Sequence, residues 1–125
     1  MDKLGIRAGM RLYFADAPDD YHKTLGRVPT VVQATSLRGP LDFVQCFSTG
    51  KADLEKKMPA LVAALDPAGM LWISWPKKAA KVETDLTEDH VRAIGLANGV
   101  VDVRVCAIDD VWSGLKFVIR LKDRP

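Results

Sequence analysis

Residues 70–75 read Met-Leu-Trp-Ile-Ser-Trp. Nearly every position is apolar, so an extended strand there would have no face suited to water. The run is too short for a helix and far short of the roughly 20 apolar residues of a membrane span. A strand that is apolar on both sides belongs in the middle of a mostly parallel sheet, covered on each face. That requirement selects a layered α/β architecture. The chain is long enough to build one, because 125 residues amount to a single domain with its own core. Hydrophobic residues at 48% and charged residues at 27% lie near globular averages, which excludes disordered, collagenous and disulfide-scaffold chains.

The pattern around this run alternates between strand and helix. Met10–Ala15 and Leu41–Phe47 predict strands, and Thr30–Thr35 a weaker one. Pro18–Leu25 predicts a short helix opened by Pro18, Asp19 and Asp20 and stopped by Gly26. Leu54, Met58, Leu61, Val62 and Leu65 form one apolar stripe at helical spacing. Ser48 or Thr49 is the expected cap of that helix. Pro59 predicts a kink near Met58, and Asp66-Pro67-Ala68-Gly69 predicts the helix end. A second helix should start at the capping-box sequence Asp85-Leu86-Thr87-Glu88, with Thr87 as a rival cap, and stop at Gly99. Its inward side should carry Leu86, His90 or Val91, Ile94 and Ala97. Val101, Val103 and Val105, and later Leu115, Phe117, Ile119 and Leu121, alternate with polar residues. Two such strands joined across 109–114 predict an antiparallel hairpin. The direction of the Thr30–Thr35 strand stays open. Residues 36–40 are too few for a crossover helix, so either that strand is antiparallel or an irregular loop makes the crossing.

The order helix, strand, helix, antiparallel hairpin resembles the Rossmann-like methyltransferase fold, in a reduced form. Leu41-Asp42-Phe43-Val44 resembles the fourth strand of those enzymes, Asp66–Ile73 their Pro-Gly turn and fifth strand, and the final hairpin their sixth and seventh strands. Across nearly its whole length the chain also resembles a family of small bacterial proteins of unknown function. Lys3–Ile6, Gly9–Arg11, Arg38–Phe43, Leu71–Lys77 and Trp112–Gly114 carry that likeness. The implied fold is a three-layer Rossmann-like α/β sheet. The methyltransferase resemblance would bring S-adenosylmethionine, held by a glycine-rich loop after the first strand and an acid at the end of the second. Here residues 15–20 read Ala-Asp-Ala-Pro-Asp-Asp, with no glycine before Gly26, and residues 31–36 read Val-Val-Gln-Ala-Thr-Ser, with no acid. No Gly-x-Gly-x-x-Gly dinucleotide motif occurs.

Other chemistries have little support. His22 and His90 fall in different elements with no second ligand at metal-binding spacing. Ser113 sits in Trp-Ser-Gly, not a nucleophile elbow. Gly50-Lys51 matches the end of a phosphate loop, but the position of the leading glycine holds Gln45. Cys46 and Cys106 read as two buried, reduced thiols.

Topology offers more. In parallel α/β sheets, ligands bind beyond the carboxyl ends of the strands. Four loops should share that rim, bringing together Asp16, Ser48, Thr49, Lys51, Trp75, Lys77, Lys78, Asp109, Asp110 and Trp112. Carboxylates, lysines and indoles on one edge suit a small polar ligand or a loop of a protein partner. Ordinary structural roles compete: a hairpin turn at Asp109-Asp110, core-capping indoles at Trp75 and Trp112, and a solvated run at Lys77, Lys78 and Lys81. The lysine loop is a weak signal for nucleic acid, because the net charge is only +2 and Glu83 and Asp85 lie beside it. Residues 1–7 hold no apolar run of signal-peptide length, so the expected location is cytoplasmic. Lys116, Arg120 and Lys122 are expected to protect the last strand from self-pairing. A second copy of the chain could complete a thinly covered sheet face. The expected function is a non-enzymatic binding or regulatory module using the rim, with no cofactor and no metal. The alternative is an S-adenosylmethionine-dependent methyltransferase with an atypical site around Asp16 and Ser48.

Overall fold

The computed structural model describes residues 11–15, 32–33, 41–77, 84–108 and 111–119. The elements are β1 (Arg11–Ala15), β2 (Val32–Gln33), β3 (Leu41–Phe47), α1 (Lys51–Ala63), β4 (Leu65–Pro76), α2 (Glu88–Ala97), β5 (Val100–Ala107) and β6 (Trp112–Ile119). The strands form one six-stranded sheet in the order β2-β1-β3-β4-β6-β5. β2, β1, β3 and β4 run parallel, and β6 runs antiparallel to both β4 and β5. The open direction of β2 is therefore settled as parallel, and residues 34–40 separate it from β3. The predicted helix at Pro18–Leu25 lies outside the described residues.

β4 sits inside the sheet between β3 and β6, as an all-apolar strand must. Because side chains alternate faces, it feeds two cores at once. Leu71, Ile73 and Trp75 face the helices with Val44, Cys46, Leu115 and Phe117. Trp72 faces the other way with Leu12, Phe43 and Phe47. Both helices contribute to the first cluster and neither to the second. Among the described residues, α-helix covers one face only. Trp72 is completely buried. Removing such an indole costs about 3–5 kcal/mol, against a typical total stability of about 5–15 kcal/mol.

Several expectations are corrected. Residues 66–69 do not lie outside the strand. Leu41 pairs with Leu65 and Phe43 with Met70, so this stretch opposes Asp42 alone as an irregularity inside β4. The turn chemistry read from Asp66-Pro67-Ala68-Gly69 is real, since the Ala68 amide donates to the Asp66 carboxylate at 2.9 Å. Gly69 then lies so close to the β3 carbonyls of Leu41 and Asp42 that a Cβ would meet them. Leu65 consequently belongs to the strand, and the buried stripe of α1 is Leu54, Met58 and Leu61. α1 runs unbroken through Pro59. Pro59 and Glu55 are both exposed, so water can satisfy the carbonyl that loses its donor.

In α2 the cap is Thr87, whose hydroxyl accepts the His90 amide at 3.2 Å. Gly95, not Ala97, completes the inward face with Val91 and Ile94. The reason is Phe117, whose ring occupies the space of a Gly95 Cβ. Gly99, in the left-handed region at φ 88°, ends the helix as predicted. The antiparallel pairing of the hairpin is as predicted, but β6 begins at Trp112, so residues 112–114 expected in the turn belong to the strand; the register shifts between Asp102 and Arg104. That shift interrupts the alternation of the valines, and Val103 and Val105 are exposed. β6 is an interior strand, so Lys116 does not guard an edge; β5 is the edge, and its irregularity and Arg104 discourage self-pairing. Arg92 ties α2 to β5 through Asp102 at 2.9 Å and also holds Glu88 at 2.8 Å. Glu88 above all, then Asp102, raises the Arg92 pKa, so the guanidinium is always charged.

Gly95→Ala is expected to destabilise the protein by about 1–3 kcal/mol through overpacking against Phe117. A urea melt checks this, and wild-type stability would show that the Phe117 ring can move aside.

Candidate functional site

The chain grows from β1 outward to β2, then reverses and places β3 on the other side of β1. The reversal makes the carboxyl ends of β1 and β3 a topological switch point, where open α/β sheets leave a crevice. Ala15 pairs with Cys46, so the two strands end at the same level. The residues that follow β3, Ser48-Thr49-Gly50, occupy this rim and lead directly into α1.

On the β4 side of this turn a cleft of about 380 Å³ opens at the carboxyl end of β3, lined among the described residues by Phe47, Ser48, Thr49, Asp53, Lys57 and Trp112. Phe47 and Trp112 form one wall, edge to face, with ring centroids 5.1 Å apart. They come from β3 and β6, on either side of β4. Ser74, opposite Phe47 in the register, is small enough to leave room over the intervening strand. The polar side is built on one carboxylate. Asp53 Oδ2 accepts the Ser48 hydroxyl at 3.0 Å and the Lys57 ammonium at 2.9 Å. The Lys57 bond above all holds the Asp53 carboxyl below its ordinary range; burial opposes it, and the Ser48 bond adds to the lowering.

Ser48 is buried and Thr49 exposed. Neither caps α1 by the expected route. Gly50 is the N-cap residue, and it brings no side chain to the task. The Lys51 amide instead donates to the Asp85 carboxylate at 2.7 Å. The positive end of the helix is thus taken by an acid from a distant part of the chain.

Of the residues predicted for the rim, Ser48, Thr49 and Trp112 line this cleft. Trp75 does not: its indole is 6% exposed and packs in the helix-side core. Trp75 follows Ile73 by two positions on β4, so it shares that buried face. Lys51 turns away, lining a different groove of about 320 Å³ between the helices, with Glu55, His90, Ala93 and Ile94. Lys77 is half-buried, and its amide donates to the Val111 carbonyl at 2.7 Å, closing the sheet next to Trp112. Asp16, Lys78, Asp109 and Asp110 lie outside the described residues. Phe47, Asp53 and Lys57 were missed in the sequence. Asp53 and Lys57 stand at i and i+4, an ordinary surface pair whose only special property is its closeness to the strand end. Cys46 and Cys106 form no disulfide and sit on opposite faces of the sheet; Cys46 is buried as expected, whereas Cys106 is only half-buried. Among the described residues no cluster of His, Cys, Asp and Glu could hold a metal ion, and no helix is long and apolar enough to cross a membrane.

The strand order, the single switch point and the antiparallel β6 can be compared with solved structures. Magnesium protoporphyrin IX methyltransferase from Synechocystis PCC 6803, with bound S-adenosylmethionine, matches with a TM-score of 0.63 at 13% identity, covering 95% of this chain and 74% of that one. A SAM-dependent methyltransferase from Aquifex aeolicus matches with a TM-score of 0.62 at 16% identity, covering 95% and 87%. A precorrin-6y C5,15-methyltransferase from Geobacter metallireducens GS-15 matches with a TM-score of 0.59 at 12% identity, covering 95% and 84%. The fold is methyltransferase-like. At these identities the likeness concerns the backbone alone. No family model and no curated protein matches the chain.

The depressed Asp53 pKa has a consequence for stability. A carboxyl depressed on folding stabilises the native state above its unfolded pKa near 4, and that contribution disappears as pH falls through the lower, folded value. Asp53→Asn should therefore lower the melting temperature at pH 7 and have little effect at pH 2. An equal loss at both values would contradict the ion-pair account.

Proposed function

We propose that this chain binds S-adenosylmethionine at the carboxyl ends of β1 and β3 and belongs functionally with methyl-transferring proteins, using an atypical site around Asp16 and Ser48. The observation that carries this reading is the cleft at the carboxyl end of β3 in a methyltransferase-like sheet. It replaces the expectation of a module without a cofactor, because the structural neighbours are S-adenosylmethionine-dependent enzymes.

The described residues fit a ligand with a planar ring and several polar groups. The half-buried Trp112 indole, braced edge to face by the buried Phe47 ring, offers an apolar surface on which an adenine or an aromatic acceptor can rest. Thr49, exposed and lining the cleft, adds a hydroxyl-bearing side chain at its lip. Bound there, S-adenosylmethionine would supply an electrophilic methyl group on a sulfonium. The role of the chain is to hold the two reactants close and to exclude water from between them. The missing glycine-rich loop and second-strand acid mean that the ribose and the amino-acid end are held by other groups than in the resembled family.

A second reading, binding without catalysis, is favoured by one observation. The titratable groups lining the cleft, Asp53 and Lys57, bond to each other. Neither is set up as a general base near neutral pH.

Thermal melts with S-adenosylhomocysteine test the proposal. A ligand at a hundred times its Kd adds about 2.7 kcal/mol to the folded state, which raises Tm by several degrees. Adenosine alone should give a smaller rise. No shift with a folded sample at millimolar ligand contradicts the reading. A shift without methyl transfer to any tested acceptor selects the second one.

A further inference from the structure

The turn that carries Ser48 and Thr49 is held partly by its own atoms and partly from a distant segment. Within the turn, the Ser48 hydroxyl shares its proton between Asp53 at 3.0 Å and the Gly50 carbonyl at 3.1 Å, and it accepts the Gly50 amide at 3.4 Å. Two further ties reach it from the start of the next crossover. The Thr84 hydroxyl donates to the Thr49 carbonyl at 2.6 Å, and the Asp85 carboxylate accepts the Lys51 amide at 2.7 Å. One bond constrains the carbonyl side of the turn and the other the amide side.

The segment that makes these ties is itself anchored. The Leu86 amide donates to the Thr84 hydroxyl at 3.1 Å, and the Leu86 side chain is buried in the helix-side core. The Thr84 hydroxyl therefore uses its donor on Thr49 and an acceptor site on Leu86, which fixes its orientation. The Asp85 carbonyl lies 2.9 Å from His90 Nδ1, which donates to it. Residues 84–90 thus link the core, α2 and the strand-end turn.

We propose that Thr84 and Asp85 are positioning residues for the turn 48–51, setting its conformation for ligand without lining the cleft. This rests on the reading that ligand binds at that turn. A hydrogen bond to a charged acceptor is stronger than a neutral one, so the Asp85 tie is the more important of the two.

The test compares Asp85→Ala, Asp85→Asn and Thr84→Val with Thr87→Ala, which removes the α2 cap without touching the turn. Amide hydrogen exchange at residues 48–51 and the Kd for S-adenosylhomocysteine are measured well below each Tm. Asp85→Ala should speed exchange at 48–51 and weaken binding about tenfold. Thr84→Val should act in the same direction and less strongly. Asp85→Asn keeps an acceptor oxygen and should restore most of the affinity. Thr87→Ala should lower Tm while leaving both readouts near wild type. The proposal is overturned if exchange at 48–51 is unchanged in Asp85→Ala, or if Thr87→Ala matches it in both readouts. If Asp85→Ala fails to fold, Thr84→Val decides by the same criteria. If wild-type protein does not bind the ligand, the functional reading fails, and the exchange measurement still decides whether Asp85 and Thr84 hold the turn.

Discussion

Trp72 and Trp75 leave opposite faces of β4 three positions apart, and both are buried. This pairing imposes most of the architecture. A strand with indoles on each side cannot lie at an edge or face water, so it needs a neighbour strand on each flank and cover on each face. β3 and β6 provide the flanks, and α1 and α2 cover the Trp75 side. The same alternation places Phe47 and Trp112 on the Trp72 side, where their rings meet at the rim. The cleft wall is therefore a continuation of the second core up to the strand ends.

The strand order makes this rim chemically useful. Parallel strands carry their following turns to the same edge, and the reversal between β1 and β3 separates two of those turns. α1 begins at that point. Its positive end is met by Asp85, and Asp53 in its first turn draws in Ser48 and Lys57. The polar half of the cleft is thus already paired, which leaves the exposed hydroxyl of Thr49 and the aromatic wall as the parts most open to a ligand.

Much of this was readable from residue patterns. The apolar run at 70–75, the stripe of Leu54, Met58 and Leu61, and the period-2 alternation of Leu115, Phe117 and Ile119 each report burial directly. Local sequence was misleading where a distant group decided the outcome. Asp66-Pro67-Ala68-Gly69 carries ordinary turn chemistry, yet Gly69 lets β4 resume pairing against the β3 backbone. Ala97 fits the helical stripe, but the ring of Phe117 makes Gly95 the inward residue. Ser48 and Thr49 are good caps by type, and Asp85 took that role from 34 positions away. Trp75 was legible as apolar and near the rim, but its face depended on strand parity counted from Ile73. The site was legible as a set of loops, and the cleft only as a structure.

The central claim is that ligand binds at the switch point between β1 and β3. An NMR titration of isotope-labelled protein with S-adenosylhomocysteine tests it most directly. The account predicts shifts concentrated on the amides of Ser48, Thr49 and Gly50 and on the Trp112 indole, with the helix groove at Ala93 and Ile94 silent. Shifts confined to that groove, or none at saturating ligand, would contradict it.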